Sequence, residues 1–227
     1  MSSEHKAQPA AFFDLDRTLI SINSAFTYAR YERRRGRLSL FTFLRASLWM
    51  GLYHLSIVDI EKAFARAVEA YRGVHTDELM KLTRQFFHEE VINTIQPGAR
   101  QVLQTHRDQN HPLVLLTASS PYMSKLAAQT WDLDDWLCNQ FPTDDQGFLR
   151  GTFEPPLCYG PGKVHRARRW AEQNQIDLEE SYFYTDSFSD LPMLEVVRYP
   201  RVINPDPRLR RAAIRRGWPI EDWSDRS

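Results

Sequence analysis

Ala10-Ala11-Phe12-Phe13-Asp14-Leu15-Asp16-Arg17-Thr18-Leu19 sets an apolar run directly against a pair of acids. The four leading apolar residues predict a short strand buried on both faces, the kind found inside a parallel sheet, and the polar residues begin where such a strand ends. Ligand sites of open α/β folds lie at that edge. Asp14 and Asp16 share a side if the strand continues through them, and two carboxylates so close call for a cation or a shared proton. A hard, oxygen-seeking ion such as Mg²⁺ is the simplest relief. A strand cap or an Asx turn is the plainer explanation of either acid alone.

Outward from this segment the chain changes character. Ser21 to Tyr31 has a largely helical rhythm that ends in Arg33, Arg34, Arg35, Gly36 and Arg37. The apolar run from Leu38 to Val58 is long enough to cross a bilayer, but Arg45 and His54 interrupt it. Three readings stay open, in falling order: a buried or dimer-forming helix, a face toward a membrane surface or a greasy substrate, and a transmembrane span. Asp59 suits the cap of a helix carrying Ile60, Phe64, Ala67, Val68 and Tyr71, and a further helix is expected from about Thr76 to Phe87 or Val91. Residues 20–92 thus read as an all-helical insert with no catalytic pattern of its own, a candidate lid that excludes water and chooses the substrate. Residues 1–19 and 93–227 read as the core.

Pro97-Gly98 restarts that core, with a helix from Gly98 to Thr105 and a second buried strand at Pro112-Leu113-Val114-Leu115-Leu116. Thr117, Ser119 and Ser120 fall where this strand ends, and Pro121 suits the first turn of a helix. Hydroxyls and free helix N–H groups there make a phosphate-sized anion site, although Ser119 or Ser120 can equally be a helix cap. Cys138 to Phe141 reads as another strand, and Phe148 to Phe153, after the Asp144-Asp145-Gln146-Gly147 turn, completes a hairpin. Lys163 follows Gly160-Pro161-Gly162, a mobile or tightly turned entry to a helix. Tyr182-Phe183-Tyr184-Thr185 is a third strong strand, with Asp186 at its end and Asp190 four residues later; Arg201-Val202-Ile203 and a basic helix from Leu209 to Arg216 follow.

Taken in order, Phe13-Asp14-Leu15-Asp16-Arg17-Thr18-Leu19, Leu115-Leu116-Thr117-Ala118-Ser119, Lys163, and Tyr184-Thr185-Asp186-Ser187-Phe188-Ser189-Asp190 resemble the four motifs of the haloacid dehalogenase-like hydrolases. The helical insert resembles the subgroup containing phosphoserine phosphatase. The resemblance implies a Rossmann-like three-layer α/β core with a mostly parallel sheet and a helical cap, and a phosphomonoester phosphatase that works through an aspartyl-phosphate on a small phosphorylated metabolite. It makes Asp14 the nucleophile and Asp16 the acid and base, and it places Thr117, Ala118 and Lys163 on the phosphoryl group. Mg²⁺ would be held by Asp14, the backbone oxygen of Asp16 and Asp186, with Asp190 supporting that geometry. Arg17 stands where the family most often has Gly, Ser189 where phosphoserine phosphatases usually have Asn, and Asn23 near the cap position where they usually carry Glu for the substrate's amino group. The phosphoserine reading is weakened accordingly. A phosphotransferase sharing the intermediate, and a non-catalytic binding or membrane-peripheral protein using the apolar cap, are the competing expectations.

Composition bounds the remaining choices. A chain of 227 residues buries a substantial core, and 29 basic against 29 acidic residues leave no net field to attract nucleic acid. Cys138 and Cys158 are too few for a disulfide framework and suit a reducing compartment. Met1 to Lys6 have no apolar signal region behind them, so a cytoplasmic location is expected, membrane-peripheral if the cap meets lipid. A homodimer through the same cap face is the other expected contact.

Overall fold

A computed structural model of the chain describes residues 8–36 and 60–224. The apolar run from Leu38 to Val58 and the Asp59 cap lie outside the described residues. Six strands form one sheet in the order β3-β2-β1-β4-β5-β6: β1 Ala11–Phe13, β2 Leu113–Leu116, β3 Asp135–Leu137, β4 Tyr182–Thr185, β5 Tyr199–Ile203 and β6 Ile220–Glu221. Every pairing is parallel, with Phe13 opposite Leu115 on one side and Tyr184 on the other. The chain winds outward through β2 and β3, then returns past β1 to lay down β4. Such an order opens a crevice at the carboxyl edge beside β1, where the winding reverses.

Alternation along β1 explains the layers. Ala11 and Phe13 pack on one face with α1 Ser24–Arg34, α3 Thr76–Phe86, α4 Pro97–Asp108 and α5 Pro121–Thr130; Ala10 and Phe12 pack on the other with α6 Pro161–Gln173, α7 Leu191–Leu194 and α8 Pro207–Arg216. Phe13 stacks on Tyr184 with centroids 4.8 Å apart, and Phe12 meets Trp170 edge-on at 5.6 Å. Burying each ring contributes about 1.5–3 kcal/mol, so the pair anchors the strand that carries the acids. The architecture is therefore a Rossmann-like α/β core with helices on both faces of a parallel sheet.

The insert is helical where it is described: α1, α2 Ile60–Glu69 and α3, the last continued by a π turn at Phe87–Val91 and a 3₁₀ turn at Ile92–Thr94. Asn23 caps α1 by accepting from Phe26 N at 2.9 Å. Ser21 N donates to Thr94 O and Gln96 N to Leu19 O, both at 2.9 Å, so the insert leaves and rejoins the core at one place. Phe64 of α2 lies against Phe141 and Phe153, with centroids 6.1 and 5.4 Å away. Among the described residues no helix is long and apolar enough to cross a membrane.

Two expected strands are corrected. The third strand of the ladder is Asp135–Leu137, ahead of Cys138–Phe141, because the parallel register with β2 sets Val114 opposite Asp135 and Leu116 opposite Leu137. Phe148 to Phe153 is not a continuous strand, yet the expected hairpin pairing is present in part: Thr143 bridges Leu149 antiparallel, Asp144 N donates to Phe148 O at 2.9 Å and Arg150 N to Pro142 O at 3.0 Å. Leu149 also donates to Val74 O and accepts from Gly73 N, tying this loop to the insert. The short β6 edge strand had no sequence signal, since Ile220-Glu221 is too brief to show a period.

Candidate active site

Asp14 follows β1 directly, and its N–H donates to Tyr184 O at 2.9 Å, the last rung between β1 and β4. Beyond it the chain leaves the strand. Arg17 takes a φ of 57°, the left-handed region that suits glycine, at a cost of roughly 1–2 kcal/mol for an L side chain. Asp14 and Asp16 therefore face one cavity by way of a tight turn instead of a continued strand. Ser24, at the start of α1, fixes the second acid: its N–H donates to Asp16 Oδ1 at 2.9 Å and its hydroxyl to Oδ2 at 3.1 Å.

Lys163 enters from the opposite face of the sheet. Gly160 has a φ of 51°, and a Cβ on Gly162 would run into the Leu157 carbonyl, so the Gly-Pro-Gly segment is a tight turn. It delivers Lys163 Nζ to 2.8 Å from Asp14 Oδ1 and 2.7 Å from Asp190 Oδ2, and Thr185 Oγ1 donates to that same Asp190 oxygen at 2.6 Å. Burial alone would push the ammonium toward neutrality, but the two carboxylates hold it above its usual range. It is fully charged at any pH of interest.

The carboxylates bear the opposite strain. Burial raises Asp14 to about 7, with Lys163 pulling against it and Asp190 adding to it. Asp186, at the end of β4, is raised to about 8 by burial and by the nearby Asp14 and Asp190. Asp16 is also raised by burial, offset by the two Ser24 hydrogen bonds. Lys163 and the more distant Arg17 are two cations against the four acids Asp14, Asp16, Asp186 and Asp190, and Asp190 Oδ1 is buried with no hydrogen-bond partner.

Asp14, Asp16, Thr117, Ala118, Lys163, Asp186 and Asp190 all line one cavity of about 300 Å³. Thr117 Oγ1 accepts from Ser119 N at 3.2 Å, while Ser120 is the cap of α5, accepting from Met123 N at 3.3 Å. Of the hydroxyls after β2, Thr117 is the buried one that faces the cavity. Asn139 crosses beneath it, donating to Ala118 O at 2.6 Å and accepting from Cys158 N at 2.8 Å. Sequence reasoning missed Ser24, Asn139 and Thr185. Asn139 left little signal, since it is one of two adjacent polar residues, with Gln140, in the run from Trp136 to Phe141. Both cysteines are buried free thiols, pushed up to about 11 at Cys138 and about 12 at Cys158 by burial, and are chemically quiet.

The donor set constrains the metal. Among the described residues no group of three or more His, Cys, Asp or Glu side chains is placed to hold an ion alone. Ser24 takes both side-chain oxygens of Asp16, and Asp190 shares one oxygen between Lys163 and Thr185, whereas Asp14 gives one oxygen to Lys163 alone and Asp186 is not engaged by Lys163. A cage of four equivalent carboxylates is therefore not what this site offers. Asp14 and Asp186 remain, both buried and both raised. That pair fits Mg²⁺, which commonly takes one or two protein carboxylates and completes its sphere with water and phosphate oxygens.

Comparison with known proteins identifies the family. Residues 11–195 match the family of haloacid dehalogenase-like hydrolases. The inhibition of morphological differentiation protein of Streptomyces azureus is 29% identical over 217 residues, covering 94% of this chain and 78% of that one. A phosphoserine phosphatase of Mycobacterium tuberculosis is 30% identical over 220 residues, covering 94% and 70%. A solved structure from Bordetella pertussis Tohama I, of a protein with unknown function, superposes with a TM-score of 0.86 at 27% identity, covering 96% of this chain and 99% of that one. With its parallel sheet, helical insert and ordered motifs, the chain belongs to the haloacid dehalogenase-like hydrolases and is an enzyme of the hydrolase type.

Proposed function

We propose that the chain is a Mg²⁺-dependent phosphomonoester phosphatase acting through an aspartyl-phosphate on Asp14. The observation that carries this reading is the division of labour between two acids in one cavity: Asp14 is held by an ammonium, Asp16 by a serine. With Oδ1 engaged by Lys163, Oδ2 of Asp14 attacks phosphorus and the bond from phosphorus to the alcohol oxygen breaks. Asp16, raised by burial, gives its proton to the departing oxygen. Water then attacks the acyl-phosphate and yields its proton to Asp16, and the bond to Asp14 breaks to release phosphate. Lys163 and Thr117 offset and orient charge on the phosphoryl oxygens. Mg²⁺ held by Asp14, Asp186 and the backbone oxygen at Asp16 would neutralise phosphoryl charge, with Asp190 keeping Lys163 in register. The insert, residues 20–92, serves as the cap over this core.

The mycobacterial relative named as a phosphoserine phosphatase supports phosphomonoester chemistry. Asn23 lines the cavity and accepts from the N–H of Phe26 with its side-chain oxygen, but as a neutral amide it brings no charge to pair with a substrate ammonium. The decisive experiment measures phosphate release and traps the acyl-phosphate by borohydride reduction in the native protein and in Asp14→Asn. Near-native turnover in folded Asp14→Asn, or release without any trapped aspartyl adduct, rejects the mechanism.

A further inference from the structure

A second chamber of about 310 Å³ adjoins the phosphoryl cavity, between the insert and the core. Ser24, Ala25, Phe64, Ala118 and Ser119 line both, so the two spaces meet along a common wall. Their chemistry differs sharply. The inner cavity carries Asp14, Asp16, Arg17, Lys163, Asp186 and Asp190, whereas none of the described residues lining the outer chamber is charged. Its walls include Phe64, Val68, Leu79, Met123 and Phe141.

We propose that the outer chamber receives the alcohol portion of the substrate, and that this alcohol is uncharged with an aliphatic or aromatic body. The proposal rests on the phosphatase reading above. Asp16 is the group that meets the leaving oxygen, and Ser24, which holds Asp16 by two hydrogen bonds, belongs to both walls. The leaving oxygen therefore sits at the threshold, and the carbon body behind it lies in the apolar chamber. An ammonium or carboxylate carried on that body would lose water with no ion among the described lining residues to pair it. An alkyl or aryl body instead gains by leaving water, and a chamber of this size is at the small end of ligand pockets.

A series of n-alkyl phosphates from ethyl to octyl, assayed with Mg²⁺, varies the body at nearly constant leaving-group acidity. kcat/KM is expected to rise about twofold to fourfold per methylene until the chamber fills, and butyl phosphate is expected to exceed phosphoserine by at least about tenfold. Ala67→Glu and, separately, Thr83→Glu put a carboxylate into the wall at an exposed and a half-buried position, and each flattens the slope. Alkylphosphonates of the same lengths have no cleavable ester and read binding alone: Kd falls along the series in the native protein and stays level in the two variants. A series without slope in either readout, or a preference for phosphoserine, overturns the proposal and assigns the chamber to another occupant, such as a segment of this chain or a second copy. A sloping phosphonate series without turnover of any phosphomonoester keeps the chamber and removes the phosphatase reading instead.

Discussion

Lys163 Nζ donates to Oδ1 of Asp14 at 2.8 Å across a sequence separation of 149 residues, with both side chains buried. Removing the ammonium leaves Asp14 and Asp190 without their shared cation. Lys163→Met is expected to destabilise the fold by about 3–5 kcal/mol at neutral pH, because breaking a buried pair strands a charge. kcat/KM is expected to fall by about 10²–10³ or more with loss of phosphoryl charge stabilisation. Chemical denaturation and phosphate release on the same preparation check both. Lys163→Arg should not rescue activity, since the planar fork cannot reproduce a point charge between two carboxylates.

Asp16→Asn is expected to lower kcat by about 10²–10⁴ for alkyl phosphates and by much less for phosphates of acidic phenols, whose leaving groups need little protonation. Ser24→Ala removes one of the two hydrogen bonds that lower the Asp16 carboxyl, so the pH at which the acid limb acts shifts upward, with roughly a tenfold loss of rate. Equal losses across leaving groups in Asp16→Asn would contradict its role as proton donor.

Asp14 and Asp186 set a pH dependence whose sign follows from linkage. Their folded values, about 7 and about 8, lie above the unfolded value of 3.8, so between these limits the native state holds more protons than the unfolded chain. Stability of the metal-free protein therefore falls as pH rises from about 4 to about 8. The proposed Mg²⁺ site requires the deprotonated pair, so the ion should raise the melting temperature at pH 8 and hardly at all at pH 5. Asp186→Asn removes one buried charge; the metal-free variant should be more stable than the native protein at pH 8 and lose the response to Mg²⁺. Thermal unfolding at the two pH values, with and without EDTA, tests all four conditions.

Gly162→Ala is the backbone counterpart. The added methyl collides with the Leu157 carbonyl, which cannot swing away as a flexible side chain could, so the start of α6 must shift and carry Lys163 with it. A shift of about 1 Å at such a position costs on the order of 10²-fold in rate. Activity is therefore expected to fall far more than the melting temperature.

The core of the reading was local and therefore legible in the sequence. Apolar runs at Ala10–Phe13, Leu113–Leu116 and Tyr182–Thr185, each ending in polar residues, mark buried parallel strands, because a strand covered on both faces tolerates no alternation. The acids and the hydroxyl at their ends are then brought to one edge by topology alone. What needed the tertiary structure was every contact made between elements: the hold of Ser24 on Asp16, of Asn139 on the Ala118 loop, of Thr185 and Lys163 on Asp190. Serine, asparagine and threonine look the same in sequence whether solvated or buried. The Cys138–Phe141 strand failed for the same reason, since its ladder place was taken by Asp135–Leu137, where the register with β2 allowed pairing. The sequence determined which residues could do the chemistry; packing decided which oxygen of each acid was already spoken for, because hydrogen bonds across 149 or 27 residues have no periodicity to reveal them.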